Sequence, residues 1–164
     1  MLAPSTNPDI EDGRAPTGRE HRLTHPTSPL GRAALRRTGD DLTIIAYGTM
    51  AYYAIEAADR LAEQGVEAEV LDLRSLKPLD WPSIEAAVKR TSKVLIVHED
   101  NEFLGFGAEV AAQISEKAFE WLDAPIRRYA TPDVPAFPFA PVLEAQVMPN
   151  VDGIVERAAE LAAY

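Results

Sequence analysis

The amino-acid sequence predicts a three-layer α/β/α domain on a mostly parallel five-stranded sheet with one antiparallel strand. Short apolar runs of strand length alternate along it with segments whose apolar residues recur at helical spacing, an order that folds as a parallel sheet with helices on both faces. Capping and stop residues stand at the junctions of these segments. One further run precedes the alternation across a turn, and supplies the strand that runs the other way.

In chain order, Arg32–Arg37 reads as a short edge strand, Thr38-Gly39-Asp40-Asp41 as a turn and Leu42–Tyr47 as a buried strand, together a hairpin. Thr49 is placed to cap a helix that runs to Gln64 and stops at Gly65, with Ile55, Ala58, Leu61 and Ala62 on its apolar face. Ala68–Leu73 is the next strand. Asp80 caps the helix that carries Ile84, Ala87 and Val88, and Pro82 sits in its first turn, where a missing N–H costs nothing. Lys93–His98 is a third strand of the alternation, followed by a glycine-bearing loop, a helix from about Gly107 to Trp121 and a last strand over Ala124–Ala130. Gly105 and Gly107 let that helix start close to the sheet, and Glu109 falls in its first turn, where the dipole favours a negative charge. Trp81 and Trp121 serve as helix-end packing or as interface anchors. The proline-rich stretch Pro132–Pro141 crosses the surface as a loop, and Asn150–Leu161 closes the chain as a helix.

Whole-chain properties narrow the function. A length of 164 residues suits one domain with a real core. Residues 1–29 hold five prolines (4, 8, 16, 26 and 29) with no apolar period and read as a disordered or extended tail, leaving residues 30–164 as the domain. No apolar run approaches the roughly 20 residues that span a bilayer, and the first residues lack a secretion signal, so the expected location is cytoplasmic, with no membrane partner. Zero cysteines exclude disulfides, thiolate catalysis and cysteine-bound zinc. The net charge of −10 argues against nucleic acid as a partner. Residues 1–40 carry six Arg against five acids, +1, so the remainder holds −11. An acidic body of this kind serves solubility or docks a basic protein.

In open parallel sheets ligands gather beyond the carboxyl ends of the strands. Three segments fall there: Tyr47-Gly48-Thr49, Asp72-Leu-Arg-Ser-Leu-Lys-Pro78 and His98-Glu99-Asp100-Asn101. The first offers a plain helix cap, the preferred reading, or a weak anion site; neither GxGxxG nor GxxxxGK[ST] occurs in the chain. In the second, Arg74 grips a carboxylate or a partner's backbone, or else Asp72–Arg74 and Lys77–Asp80 pair internally. In the third, His98 is flanked by acids at a strand end, a place for a general base or an interface switch, and ordinary hydrogen bonding in the loop or an interface is preferred over proton transfer. His21 and His25 lie in the tail, and no metal-ligand spacing accompanies His98. The candidate rim or interface residues are therefore Tyr47, Thr49, Arg74, His98 and Glu99, and no residue is assigned to catalysis, to a cofactor or to a metal.

From about Pro29 to Leu161 the order of segments resembles the transketolase C-terminal-type domain. The version is that of the beta subunit, or fused alpha-beta chain, of thiamine-diphosphate-dependent 2-oxo-acid dehydrogenases of pyruvate, branched-chain and acetoin type. The resemblance is carried by Pro29-Leu-Gly-Arg-Ala33, Asp41–Gly48, Asp72-Leu-Arg-Ser-Leu-Lys-Pro-Leu-Asp80, Val97-His-Glu99, Gly105-Phe-Gly-Ala-Glu109, Leu122–Arg128 and Pro138-Phe-Ala-Pro141. It implies a domain that follows a pyrimidine-binding domain and helps assemble an alpha2beta2 enzyme, which passes an acyl group to a lipoyl-bearing acyltransferase. It also implies that the thiamine diphosphate and magnesium motif, a GDG followed by Asn, and the activating glutamate lie on other parts; Glu11-Asp-Gly13 is not that motif. The expected role is assembly and partner docking, inactive alone, through a homodimer or with the alpha subunit and beta N-terminal domain. The alternative is a free-standing small-anion-binding or regulatory module that uses the strand-end rim.

Overall fold

The computed structural model describes residues 29–164; the tail expected over residues 1–29 lies, apart from Pro29, outside the described residues, as do His21 and His25. The strands are β1 (Ala34–Arg37), β2 (Leu42–Ala46), β3 (Ala68–Asp72), β4 (Val94–Asn101) and β5 (Arg127–Thr131). The helices are α1 (Thr49–Ala62), α2 (Trp81–Thr91), α3 (Phe106–Lys117), α4 (Pro141–Val147) and α5 (Val151–Ala162), with a 3₁₀ turn at Phe119–Trp121. The sheet order is β1-β3-β2-β4-β5. β2 pairs in parallel with both β3 and β4, β5 is parallel to β4, and β1 is antiparallel to β3.

The strand period sorts the core into two layers. Leu42, Ile44, Val70, Leu95 and Val97 face α1 and α5, where they meet Ala54, Ala58, Leu61, Ile154 and Ala158. Ile45, Leu71, Val94 and Ile96 face α2 and α3, against Ile84, Val88, Val110 and Ile114. Each large aliphatic side chain buried in these layers contributes about 1.5–3 kcal/mol relative to exposure. Asp80 caps α2 by accepting from the Ser83 N–H at 3.4 Å, and Asn150 caps α5 by accepting from the Gly153 N–H at 2.8 Å. At the end of α1, Gly65 adopts φ +83° and the Val66 N–H returns to the Leu61 carbonyl at 3.0 Å.

Four expectations are corrected. β1 and β2 do not form a hairpin: β3 lies between them, and β1 pairs with β3 with Ala34 opposite Asp72. Side chains drive this choice. The Arg36 guanidinium donates twice to Asp72 Oδ2, at 3.0 and 2.7 Å, while Arg37 reaches the Ala68 carbonyl at 2.7 Å and the Glu67 carboxylate at 2.8 Å. Gly39 lets the connection cross the start of β3, since a side chain there would overlap the Ala68 and Glu67 backbone. The cap of α1 is Gly48 rather than Thr49, because φ +60° and ψ −139° suit a residue without Cβ. The helix expected to reach Trp121 ends at Lys117, where Ala118 turns to φ −140° and a 3₁₀ turn follows. Finally, α4 follows the proline loop as an additional short helix without a single buried residue.

Candidate functional site

The rim at the carboxyl ends of β2, β3 and β4 brings several predicted residues together. The alternation that sends Val94 and Ile96 toward α3 sends His98 the same way. Its ring is fully buried beneath the start of α3, where a side chain at Gly107 would overlap the imidazole and one at Gly105 would come within 2.8 Å of Cε1. Tyr47 stacks on it, with ring centroids 5.8 Å apart and planes 6° from parallel, and Phe106 closes on Tyr47 edge-on at 6.0 Å. Glycine at 105 and 107 is thus required by the close approach of the helix to the histidine.

Among the described residues neither ring nitrogen of His98 has a hydrogen-bond partner. Burial lowers its pKa; the Asp100 carboxylate opposes that shift, Arg128 adds to it, and a backbone group of Asp100 and the Glu102 carboxylate oppose it weakly. The Asp100 backbone approaches the ring without closing a hydrogen bond. Burial also drives the Tyr47 hydroxyl up to about 12, helped by Asp100 and Glu99. Both rings are therefore held uncharged near neutrality, and His98, sealed from solvent, is not placed to exchange protons with a substrate.

Thr49 and Glu99 are exposed at the same rim, where Glu99 Oε1 lies 3.6 Å from the point a Gly48 Cβ would occupy. The start of α1 has no side-chain cap and faces this carboxylate, with Asp100 and Glu102 also exposed nearby. Arg74 stands exposed at the end of β3 with φ +55°, its backbone N–H on Asp72 Oδ1 at 3.1 Å. The carboxylates of that segment have further partners besides the Arg74 N–H. Asp72 takes Arg36, and Asp80 takes the Ala33 N–H at 2.9 Å and the Ser83 hydroxyl at 2.7 Å.

Among the described residues no group of three or more His, Asp or Glu converges to hold a metal ion. The resemblance implies thiamine diphosphate and magnesium in a larger assembly, and the described residues supply no carboxylate set and no glycine-rich diphosphate loop that would fit them. No described helix is long and apolar enough to cross a membrane.

Two surface features were not legible as sites. A cleft of about 490 Å³ is lined by Phe119, Leu122, Asp123, Ile126 and Tyr164, with Phe119 71 % exposed. A second, of about 410 Å³, lies along β5 between Arg128 and Arg157. Nothing in local sequence marks either one, because each joins segments that are far apart in the chain.

The strand order, the antiparallel edge strand and the two helical layers define a three-layer α/β/α domain on a mostly parallel sheet. Residues 31–154 match the family described as "Transketolase, C-terminal domain", and the chain belongs to that family. It is 46 % identical over 136 residues to the 2-oxoisovalerate dehydrogenase subunit beta of Bacillus subtilis, covering 83 % of this chain and 42 % of that protein. It is also 46 % identical over 136 residues to the mitochondrial pyruvate dehydrogenase E1 component subunit beta-2 of Oryza sativa, covering 83 % of this chain and 36 % of the relative. Among solved structures, a split-gene transketolase described as an inactive beta4 tetramer superposes with a TM-score of 0.73 at 27 % identity, covering 83 % of this chain and 44 % of the other. The chain thus spans about two fifths of the length of the curated relatives it matches.

Proposed function

We propose that this chain is the C-terminal assembly and partner-docking domain of a 2-oxo-acid dehydrogenase beta subunit and does not turn over a 2-oxo acid by itself. The observation that carries this reading is the 46 % identity to beta subunits over 136 residues that make up only 42 % of the B. subtilis relative. In the full assembly thiamine diphosphate and magnesium would be held by the alpha subunit and the beta N-terminal domain. Ylid formation needs the aminopyrimidine pressed on a carboxylate and the diphosphate anchored by a metal, and those positions lie on the other parts.

Docking is supported by the apolar side chains left in solvent. Phe139 is 98 % exposed, and Val142 and Leu143 on α4 are also open, a concentration of apolar surface typical of an interaction face. The groove joins exposed Phe119 to the Asp123 carboxylate and would suit the basic binding domain of a lipoyl acyltransferase, with an encounter rate that falls with salt. A homodimer through the same domain is part of this reading, and the cytoplasm is its compartment in a bacterial setting. The small-anion module at the strand-end rim is the weaker alternative, because the Glu99 carboxylate stands beside Gly48 where the anion would approach.

The test is reconstitution. Supplying the chain together with an alpha subunit and the remaining part of a beta subunit restores decarboxylation of a 2-oxo acid. Equal activity in the same mixture without the chain would refute the assembly role.

A further inference from the structure

The geometry points to a binding site for a small dianion in the cleft between β5 and α5, with Arg128 and Arg157 as its cationic walls. This goes beyond the assembly role and uses none of the strand-end residues singled out from the sequence. The residues from 41 onward carry a charge of −11, from −10 for the chain less +1 for residues 1–40, so two arginines lining one cleft are an exception to their surroundings. The ionised lining groups are those two guanidiniums and the Glu102 carboxylate, and Glu156 stands just outside beside Arg157, so the attraction for an anion comes from the converging N–H donors rather than from net charge.

Both arginines are held in place without being neutralised at hydrogen-bond distance. Arg157 lies over the Tyr129 ring, 4.0 Å from its centroid, and donates to the Gly153 carbonyl at 3.3 Å. Arg128 donates to the Glu102 backbone carbonyl at 2.6 Å. Their nearest carboxylates, Glu102 at 3.9 Å from Arg128 and Glu156 at 3.8 Å from Arg157, stand within ion-pair range but too far for a hydrogen bond. Each guanidinium has five N–H donors and, among the described residues, spends one of them on a carbonyl. The rest remain for an oxyanion, which arginine binds in a two-pronged fashion. Gln146 and Asn150 add amide groups to the wall, and the Tyr129 hydroxyl is fixed by accepting from the Asn150 N–H at 3.3 Å. A cation–π contact and carbonyl anchors pre-orient the two walls, which lowers the entropy cost of closing them on a ligand.

The ligand class is a compact molecule with two negative charges on oxygen, either a phosphate or a small dicarboxylate. The experiment titrates the full chain with inorganic phosphate and with succinate, by calorimetry and by amide NMR shifts of Tyr129, Asn150 and Gly153. Binding in the millimolar range or tighter by either probe, with shifts centred on these amides, is the expected result. Arg128→Gln and Arg157→Gln should each weaken it at least tenfold, and Glu102→Gln, an exposed position that leaves the fold intact, should tighten it several-fold. A response to phosphate alone or to succinate alone assigns the ligand's source and supports the site. Flat titrations with both probes overturn the proposal. So does binding that Glu102→Gln and the arginine variants leave unchanged.

Discussion

Replacing His98 with leucine should remove one identifiable component of the protein's pH-dependent stability. The imidazole is fully buried, both nitrogens lack a partner among the described residues, and burial holds its native pKa below the ordinary value of 6.5. Between that lowered value and about 6.5 the unfolded chain binds a proton that the native ring refuses, so stability rises with pH across the window. The contribution is complete above about pH 6.5 and is lost as pH falls toward the native value. Its greatest slope is about 1.4 kcal/mol per pH unit. With a urea m-value of about 2 kcal/mol/M, the unfolding midpoint then moves by about 0.7 M per unit. At neutral pH the exchange should cost little: burying unpaired nitrogens costs about 1–3 kcal/mol per group, whereas the Tyr47 stack that leucine forfeits is worth about 0.5–1.5 kcal/mol. Urea midpoints of parent and His98→Leu, measured from about pH 5.5 to 7.5, give the difference directly, and subtract titrations common to both proteins. Parallel curves would refute the reasoning, as would an NMR titration placing the His98 pKa at or above 6.5.

Gly107→Ala should destabilise the domain by about 1–3 kcal/mol, because the new methyl overlaps the His98 ring and lies 3.3 Å from Ile96 Cγ2 in a closed core; a thermal midpoint equal to the parent's would contradict this packing. Arg90→Ala tests the buried Glu69, which accepts from Thr43 at 3.2 Å and pairs closely with Arg90 while being fully buried. Burial raises the Glu69 pKa, and Arg90 and Thr43 hold it down in part. Removal of Arg90 should cost about 2–3 kcal/mol at neutral pH, less than for a wholly buried pair because Arg90 reaches solvent. Part of that loss should return on acidification, since a carboxyl whose native pKa is raised loses stability as pH rises through it. Chemical denaturation at about pH 5 and pH 7.5 checks the sign, and a deficit that grows toward acid would be the wrong one.

Legibility followed the range of the forces involved. The helix stop at Gly65, the Asp80 cap and the central strands were readable because each is set by residues within a few positions. The hairpin failed for the opposite reason: the Arg36–Asp72 pair that attaches β1 to β3 spans 36 positions, and no turn propensity at Gly39 reports it. The rim shows both cases. That Tyr47, Glu99 and His98 end neighbouring strands follows from the alternation, whereas the burial of His98 depends on how closely α3 starts to the sheet. The glycines at 105 and 107 signalled a close approach without saying to what.

The sequence by itself determined the layering, the sheet type, the acidic body and membership of the family, since apolar period, capping chemistry, composition and the ordered motif set are properties of the linear chain. Tertiary structure alone decided which strand β1 joins, that the His98 ring is fully buried, and that Arg128 and Arg157 share one cleft beside Tyr129. The β1 pairing and the cleft depend on contacts between groups 26 to 36 positions apart, such as the Arg128–Glu102 and Arg36–Asp72 hydrogen bonds, and the Tyr47 stack on His98 joins residues 51 positions apart. Such contacts are selected by the packing of the whole core and leave no local period to read.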